Sequence, residues 1–249
     1  MTTTATTREV SPGSSGHSAV RPRGVAGSAR QALVIAAKDL RAELRTKEAI
    51  NASLAFAVVI LLLFSFAFDE DLLRKMSGGL LWIVFAFAGT LVLNRSFARE
   101  LPNDCLDALI AAPISAPALF LGKALGNFLL VMAVELVSLP VYGIFYNVRW
   151  TTQFWPLMGV LALGTWGLTV IGTVFSALTV NIRLREVMLP LLVYPMMIPG
   201  LMAAMKLTTE LVAGQPLEGD VLIWLKLLIG FDVIFTALSV ALVETVLVG

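Results

Sequence analysis

Residues 95–123 read RSFARELPNDCLDALIAAPISAPALFLGK and separate two long apolar segments. From Asp104 onward the large apolar side chains recur at helical spacing, and Asp104 and Asp107 fall in the first turn, where carboxylates suit the positive end of a helix dipole. Pro113 and a second proline then disfavour continuation of the helix. Because the stretch is too polar to cross hydrocarbon, it predicts a short amphipathic helix, at about 104–117, lying at a membrane surface.

Composition places the rest of the chain in a membrane. Of its 249 residues, 58% are hydrophobic and only 14% are charged. The mean hydropathy is +0.87. A soluble domain of this length does not hide so much apolar surface, so the composition predicts a polytopic membrane protein. The net charge of +1 and the lack of a basic cluster interleaved with aromatic residues argue against nucleic acid as a partner.

Few side chains are suited to catalysis or metal binding. The single cysteine, Cys105, excludes an intrachain disulfide and a cysteine-based metal site, and the only histidine, His17, falls near the N-terminus. No Ser/His/Asp set, HExxH or GxGxxG motif occurs. Gly122-Lys123 is not a P-loop, because a proline stands at the upstream glycine position and Ala124 follows the lysine. The sequence therefore predicts no enzyme, no metal site and no ATP hydrolysis by this chain itself.

Two segments precede the first apolar stretch. Residues 1–30 are rich in small and polar residues and hold almost no large apolar one, so we predict a disordered cytoplasmic tail that is retained on the protein. From Gln31 an apolar stripe follows the helical repeat, and charged residues, including the (i, i+4) pair Glu43 and Lys47, take another face. The apolar positions are Leu33, Ala36, Ala37, Leu40 and Leu44. We expect this helix to lie in the headgroup layer rather than to be only a solvated helix end.

Six apolar segments follow, and each is near or above the roughly 20 residues that a helix needs to cross hydrocarbon, although the second is short. They cover about 50–68, 78–94, 119–145, 154–180, 187–205 and 221–248. The predicted fold is therefore all-α with six transmembrane helices. Thirteen of the 18 Lys and Arg residues precede the first segment or follow the second and fourth. The positive-inside rule then places both termini, and the helix at 104–117, in the cytoplasm.

Two carboxylates fall inside the apolar segments. Glu135 lies in the third segment and Asp232 in the sixth. An isolated carboxylate in hydrocarbon is costly, so each is expected to face a partner, a cavity or a subunit interface. For Glu135 a functional role and a structural role, as a paired or protonated group, are both open. For Asp232 the structural role is favoured.

Small residues at helical spacing mark two packing faces. Gly122 and Gly126 share one face of the third segment, and Thr165, Thr169 and Thr173 share one face of the fourth. Such faces let helices approach closely. Packing inside one subunit is the favoured interpretation, and a dimer contact is the alternative.

Prolines set the fifth segment apart. It contains Pro190, Pro195 and Pro199, which predict a bent helix or an irregular outer part. A short outer helix and turn are expected in residues 207–220.

The order of these parts resembles the permeases of the ABC-2 exporter type, and it is similar in particular to the heme exporter protein B family, the permease of the bacterial cytochrome c maturation system. The likeness covers roughly residues 31–249, and its motifs are weakly specific one by one but specific in their order and spacing. They are Lys38-Asp39-Leu40-Arg41-x-Glu43, Leu81-Trp82, Phe97-Ala98-x-Glu100, Asp104-x-Leu106-Asp107-x-Leu109, Ala112-Pro113-Ile114-Ser115, Gly122-Lys123-Ala124, Pro140, and Leu189-Pro190-Leu191 with Pro195 and Pro199. Departures from the family pattern occur at Cys105 and at Leu101-Pro102-Asn103.

The resemblance implies a permease domain over residues 31–249 that works with other proteins in the bacterial inner membrane. The implied docking residues for a separate ATP-binding cassette ATPase are Glu100, Asp104, Leu106, Asp107, Leu109 and Pro113. Implied partners are that ATPase (the A type of the maturation system), a heme-handling membrane protein (C type), a small membrane subunit (D type) and a periplasmic heme chaperone (E type). Because six spans are half the usual ABC complement, a homodimer of permeases is the simplest completion.

Heme is then the expected transported or handled species, and ATP is used by the partner. No histidine lies in a predicted span, and the methionines of the fifth segment are typical of packing, so we expect partner proteins to ligate the iron. Two alternatives stay open. One is a general ABC-2 export permease for a lipid-like or drug-like substrate, and the other is a membrane scaffold that organises an assembly complex without transport.

Overall fold

Seven α-helices form the described part of the chain, which comprises residues 25–96, 115–179 and 184–248 of the computed structural model. They are α1 Val25–Thr46, α2 Glu48–Ala67, α3 Glu70–Leu93, α4 Ala116–Phe145, α5 Phe154–Thr179, α6 Arg185–Val212 and α7 Asp220–Val248. The predicted all-α fold is confirmed, because no strand occurs among these residues. Helices α2 to α7 are each long and apolar enough to cross a membrane, which confirms the six spans.

Helices α3 and α5 form the centre of the bundle. Their most apolar windows are 72% and 67% buried, against 22% for α2 and 17% for α7. Both central helices carry glycines where a neighbour approaches. A Cβ added at Gly164 of α5 would collide with the ring of Trp82, which is fully buried on α3. Because the glycine makes room, the indole reaches across to α6, where its Nε1 donates a hydrogen bond to Thr208 at 2.9 Å.

The second span is longer than the sequence pattern predicted. It was placed at 78–94, but α3 begins at Glu70 and has 24 residues. Its first turn contains Glu70 and Asp71, which suit the positive helix terminus, and Glu70 pairs with Arg74 at 2.7 Å. Polar residues that hydropathy assigned to the connection therefore form the first turns of the helix.

The fifth span is also longer, and of the two alternatives predicted for it, a bent helix or an irregular outer part, the irregular outer part is not found. Helix α6 runs for 28 residues from Arg185 to Val212 with Pro190, Pro195 and Pro199 inside it. Each proline removes one hydrogen-bond donor, yet neighbouring helices in a membrane protein tolerate such gaps. The separate outer helix expected within residues 207–220 is likewise replaced by the end of α6 and a turn that leads into α7.

The predicted helix at 104–117 was wrong at its last three residues, the part of it that the structure describes. Ser115 is extended, with φ −73° and ψ 139°, and Ala116 and Pro117 already form the first turn of α4. Proline suits this position, because its missing N–H has no partner in a first turn. Residues 104–114 lie outside the described part of the chain.

Helix α1 has three faces rather than two, and it begins at Val25 rather than at Gln31. Its predicted apolar stripe includes Leu33 and Leu44, which are 60% and 53% exposed. A second face is buried and consists of Ala32, Ile35, Ala36 and Glu43, of which the first three lie beside Gly122 and Gly126 of α4. The assignment of Glu43 to the charged outer face was therefore wrong. Lys38, Arg41 and Arg45 form the remaining, exposed face.

Candidate functional site: a polar junction around the coupling segment

The six predicted coupling residues, Glu100, Asp104, Leu106, Asp107, Leu109 and Pro113, lie in residues 97–114, outside the described part of the chain. The structure does describe both flanks of this segment, Ser96 and Ser115. It also describes the side-chain contacts at the first of these flanks, which involve α1, α2, α4 and α5. We call residues 97–114 the coupling segment and its surroundings the polar junction.

Lys123 is the centre of the polar junction. It lies in the second turn of α4, and it is 1% exposed although its side chain is charged. Its Nζ atom is 3.0 Å from Oδ2 of Asp39 on α1, and it donates a hydrogen bond of 3.0 Å to the main-chain carbonyl of Ser96. A buried cation is stable only when it is paired and hydrogen-bonded. Lys123 therefore connects α1, α4 and the start of the coupling segment.

Asn127 extends the polar junction to α5. It lies one turn after Lys123, and its side-chain amide donates hydrogen bonds of 2.9 Å to the hydroxyl oxygens of Ser96 and Thr173. The hydroxyl of Ser176 on α5 donates to the carbonyl oxygen of Leu93 at 2.9 Å. The carbonyl groups at the end of a helix have no partner within the helix. Side chains of α4 and α5 supply those partners at the end of α3.

The connection from α1 to α2 belongs to the same end of the bundle. Oε1 of Glu43 accepts hydrogen bonds from the amides of Ala49 at 2.8 Å and Ile50 at 3.1 Å, so the carboxylate satisfies the first turn of α2. Arg95 donates to Oε2 of Glu48 at 2.5 Å, which links α2 to the residue just before Ser96. The contacts around Arg95 and Ser96 therefore involve all five helices from α1 to α5.

Glu135 lies deep in the bundle, away from the polar junction. It is fully buried on α4, and the hydroxyl of Thr165 on α5 donates a hydrogen bond of 2.6 Å to its Oε1 atom. Its Oε2 atom has no hydrogen-bond partner among the described residues. Of the partners, cavities or interfaces that the sequence led us to expect at Glu135, the structure thus shows one partner, Thr165, which bonds to one of the two carboxyl oxygens.

Asp232 of α7 packs against α5 on the side opposite to Glu135. A Cβ added at Gly167 of α5 would be 2.6 Å from Oδ1 of Asp232. Gly167 and Thr165 are two positions apart, which is roughly 200° around a helix. Two carboxylates therefore flank α5 on opposite faces at the same level of the bundle.

The small residues face helices of this same chain. A Cβ at Gly122 would be 2.8 Å from the main-chain oxygen of Ala32 on α1, and Gly126 lies beside Ala36. Thr165, Thr169 and Thr173 are all fully buried, and the first and last of them bond to α4. Their place in the structure corresponds to packing within one subunit.

The side chains that could ligate a metal ion or a heme iron are dispersed in the described part of the chain. Within the described ranges no group of three or more His, Cys, Asp or Glu side chains is arranged to hold a metal ion. Of the α6 methionines, Met197 is buried in the protein core, whereas Met196 and Met202 are 40% and 50% exposed. These thioethers lie on different sides of the helix and do not form one site.

Sequence reasoning missed the polar junction. It used Lys123 as a positive charge for orientation and as part of the Gly122-Lys123-Ala124 motif, and it placed Asp39 with the other charged residues on the outer face of the first helix. One signal was available: Lys123 is the only basic residue within the 30 residues of α4. A lone Lys next to an apolar run predicts a specific partner.

The chain is similar to one protein family and to individual proteins of known name. A family model described as CcmB protein matches residues 30–246, which extend from α1 through α7. The chain is 30% identical over 208 residues to heme exporter protein B of Rhodobacter capsulatus, which covers 83% of this chain and 91% of that protein. It is 30% identical over 166 residues to the protein of that name from Paracoccus denitrificans, with 66% and 76% covered. For the Escherichia coli K12 protein of that name the identity is 27% over 194 residues, with 77% and 88% covered.

Proposed function

This chain belongs to the CcmB protein family, and we propose that it is the membrane permease subunit of an ABC transporter that serves heme export and handling for the maturation of c-type cytochromes. The observation that carries the proposal is the family match over residues 30–246, which includes all six spans. Relatives named heme exporter protein B align over 91% and 88% of their own lengths, so the comparison covers most of each of them.

The ATP that drives the complex is hydrolysed by a separate subunit. We propose that an ATP-binding cassette ATPase of the A type docks on the coupling segment through Glu100, Asp104, Leu106, Asp107, Leu109 and Pro113. The coupling segment lies between two spans, and the residue before it, Ser96, is bonded to the buried Lys123 and Asn127. A segment that is anchored to the bundle transmits a displacement better than a free loop does, which supports this assignment.

Membrane orientation follows from the charge distribution. Both termini and the coupling segment lie in the cytoplasm, and the chain is a multi-pass protein of the bacterial inner membrane. The exposed basic residues of α1, Lys38, Arg41 and Arg45, are at the end of the bundle that this orientation places inside.

Closure of the ATPase on ATP would displace the coupling segment. Lys123 bonds to both Ser96 and Asp39, and Asn127 bonds to both Ser96 and Thr173. The displacement therefore moves α1, α3, α4 and α5 together. The poorly buried helices α2, α6 and α7 then change their packing at the membrane-facing side. Rigid-body gating of this kind couples a cytoplasmic event to a membrane site.

The complex contains further proteins. We propose two permease copies with two ATPases, together with a heme-handling membrane protein (C type), a small membrane subunit (D type) and a periplasmic heme chaperone (E type). The partners ligate the iron, and ATP energy drives the handling or release of the heme chaperone. A purified permease with a stoichiometric heme Soret band that is lost on mutation of one α6 methionine would overturn this division of labour.

Complementation tests the function directly. A bacterial strain that lacks its own heme exporter permease is supplied with this chain together with the maturation proteins from the same source. The expected result is recovery of heme-stained c-type cytochromes, and a catalytically inactive ATPase variant should abolish that recovery. If this chain reaches the membrane but no c-type cytochrome forms, the assignment is refuted. Recovery with the inactive ATPase would instead identify a scaffold.

A further inference from the structure

The depth at which the hydrocarbon layer begins is marked by α2 and α4. Ser65 of α2 donates a hydrogen bond of 3.3 Å to the carbonyl oxygen of Phe145 on α4, which fixes how the two helices are shifted along each other. Ile50 and Leu130 lie equally far before these two residues, and both belong to one hydrophobic cluster. Because Ile50 begins the first apolar segment, the hydrocarbon at this end of the bundle begins near the level of Leu130.

Helix α1 packs on α4 from that level outward. Leu40 of α1 packs against the cluster that contains Leu130. Ala32 and Ile35 contact Gly122, which precedes Leu130 by about 12 Å along the helix axis. The polar headgroups add roughly 5–8 Å to each side of the hydrocarbon. Helix α1 therefore extends through the headgroup layer beside the bundle.

Both acidic side chains of α1 are withdrawn from its surface. Glu43 is buried and binds the first amides of α2, and Asp39 pairs with the buried Lys123. Arg41 and Arg45, in contrast, are exposed, and neither forms an ion pair with any described residue. The surface that α1 presents at this depth therefore carries only positive charge.

Three faces follow one another around α1. Because each residue turns the helix by about 100°, the exposed Leu33 and Leu44 lie only about 20° apart. Arg41 and Arg45 lie about 80° and 120° from Leu33 on one side, and Ala36 of the packing face lies about 60° from it on the other. The arginines are thus directed away from the bundle, and an apolar edge lies between them and α4.

We propose that α1 binds anionic phospholipids selectively, with the headgroup phosphate at Arg41 and Arg45 and the acyl chains against Leu33 and Leu44. A guanidinium group matches phosphate with two parallel hydrogen bonds. A zwitterionic lipid brings an ammonium group as well, and no exposed acid of α1 compensates it, so a net negative headgroup is favoured.

A phospholipid is also the occupant that covers both outer faces of α1. A cytoplasmic protein that approached the arginines would leave the apolar edge, which includes Leu33 and Leu44, without cover. One lipid molecule supplies the charge for the first face and the apolar chains for the second. This proposal goes beyond the permease function, since it requires neither heme nor the ATPase.

Photo-crosslinking to lipid tests the proposal with the full chain in nanodiscs of one part phosphatidylglycerol to four parts phosphatidylcholine. Benzoyl-phenylalanine replaces Val34, which is 62% exposed and lies between Arg41 and Arg45 around the helix. Mass spectrometry identifies the headgroup of each lipid adduct. Phosphatidylglycerol should be enriched about fivefold over its share of the nanodisc, the factor expected from one basic residue near the surface. The double variant Arg41→Gln, Arg45→Gln should return the adducts to the nanodisc ratio.

The matched controls use the opposite end of the bundle. The double variant Lys75→Gln, Arg149→Gln also removes two exposed positive charges, and it should leave the enrichment at Val34 unchanged. Benzoyl-phenylalanine at Ile223 of α7, which is 60% exposed, should capture the two lipids in the nanodisc ratio.

Salt keeps the test decisive if the arginine variant does not insert. At about 1 M salt the Debye length falls to about 3 Å, so the enrichment at Val34 of the otherwise unsubstituted chain should drop below about twofold. The nanodisc ratio at Val34 in low salt, an enrichment that persists in the arginine variant, or equal enrichment at Ile223 would overturn the proposal. In native membranes that contain the whole complex, an adduct at Val34 with the ATPase in place of lipid would overturn it as well.

Discussion

At the scale of single residues, Lys123 has the most consequential environment in the described chain. It is buried and joins Asp39 of α1 to the carbonyl group of Ser96. Breaking a buried ion pair by removal of one partner costs about 3–5 kcal/mol, because the other charge is left without compensation. Asp39 keeps a side-chain exposure of 22% and a second cation, Lys38, at 3.3 Å, so the lower end of that range applies.

We therefore expect Lys123→Met to lower the thermal unfolding midpoint of the purified chain in detergent. Lys75→Met, at an exposed position, is the matched control and should have no effect. Asp39→Asn combined with Lys123→Met should cost less than the sum of the two single changes, because both remove the same interaction. Additive losses in this double-mutant cycle would mean that the pair is not coupled.

Glu135 allows a prediction about function rather than stability. Glu135→Gln keeps an acceptor for Thr165 and nearly the same volume, so the membrane level of the protein should be unchanged. If transport requires the ionisable carboxyl group, Glu135→Gln should lower the amount of heme-stained cytochrome c per permease. Immunoblotting measures the permease, and Thr165→Val serves as the control for the hydrogen bond alone. Normal cytochrome c levels would leave Glu135 with a structural role.

Single-residue roles were the hardest to predict from the sequence. Glu135 and Asp232 could be recognised because charge within an apolar run is unusual. The pairing of Lys123 with Asp39 could not be predicted, because 84 positions separate them and nothing local indicates which face of α1 meets α4. Glu43 was misassigned for the same reason, since its acceptor role depends on how the chain turns into α2.

At the scale of helices, close approach at glycine positions fixes how α3 packs on α6. A Cβ at Gly78 would collide with the main-chain oxygen of Met205 and would lie 2.8 Å from the amide nitrogen of Thr209. Both are backbone atoms of α6, so they move only if the helix moves. At the next position, Gly79, an added Cβ meets nothing within 4 Å.

Gly78→Ala should therefore lower the unfolding midpoint, whereas Gly79→Ala should be neutral or slightly stabilising. The second expectation follows from helix propensity, which favours Ala over Gly by about 1 kcal/mol in a helix interior. Thermal unfolding of the two purified variants in the same detergent provides the comparison. Equal midpoints would contradict the close α3–α6 contact.

Helix existence was predictable and helix length was not. Hydropathy identified all six spans, because 20 apolar residues in succession have few other uses. It missed the first turns of α3, where Glu70 and Asp71 are stabilised by the helix dipole rather than by burial. It also allowed an irregular outer part for α6, which does not occur, because the effect of prolines on a membrane helix depends on the surrounding helices.

At the scale of the whole molecule, the proposed mechanism requires that the ATPase displaces the coupling segment. Asp107→Lys or Leu109→Asp should reduce both the amount of ATPase that co-purifies with this chain and the maturation of cytochrome c. The first change reverses a charge on the docking surface, and the second places a charge at an apolar contact position. Asp71→Lys, an exposed change at the other end of the bundle, is the control. Unchanged co-purification and unchanged maturation in both docking variants would remove the coupling segment from the mechanism.

Purification of this chain from native membranes in mild detergent, with identification of the proteins that accompany it, tests the central claim most directly. The account predicts an ATP-binding cassette ATPase together with a heme-handling membrane protein. Recovery of an ATPase without any heme-handling protein would contradict the cytochrome c assignment and identify a general exporter. Recovery of this chain with no ATPase at all would contradict the account as a whole, because nothing would then drive the permease.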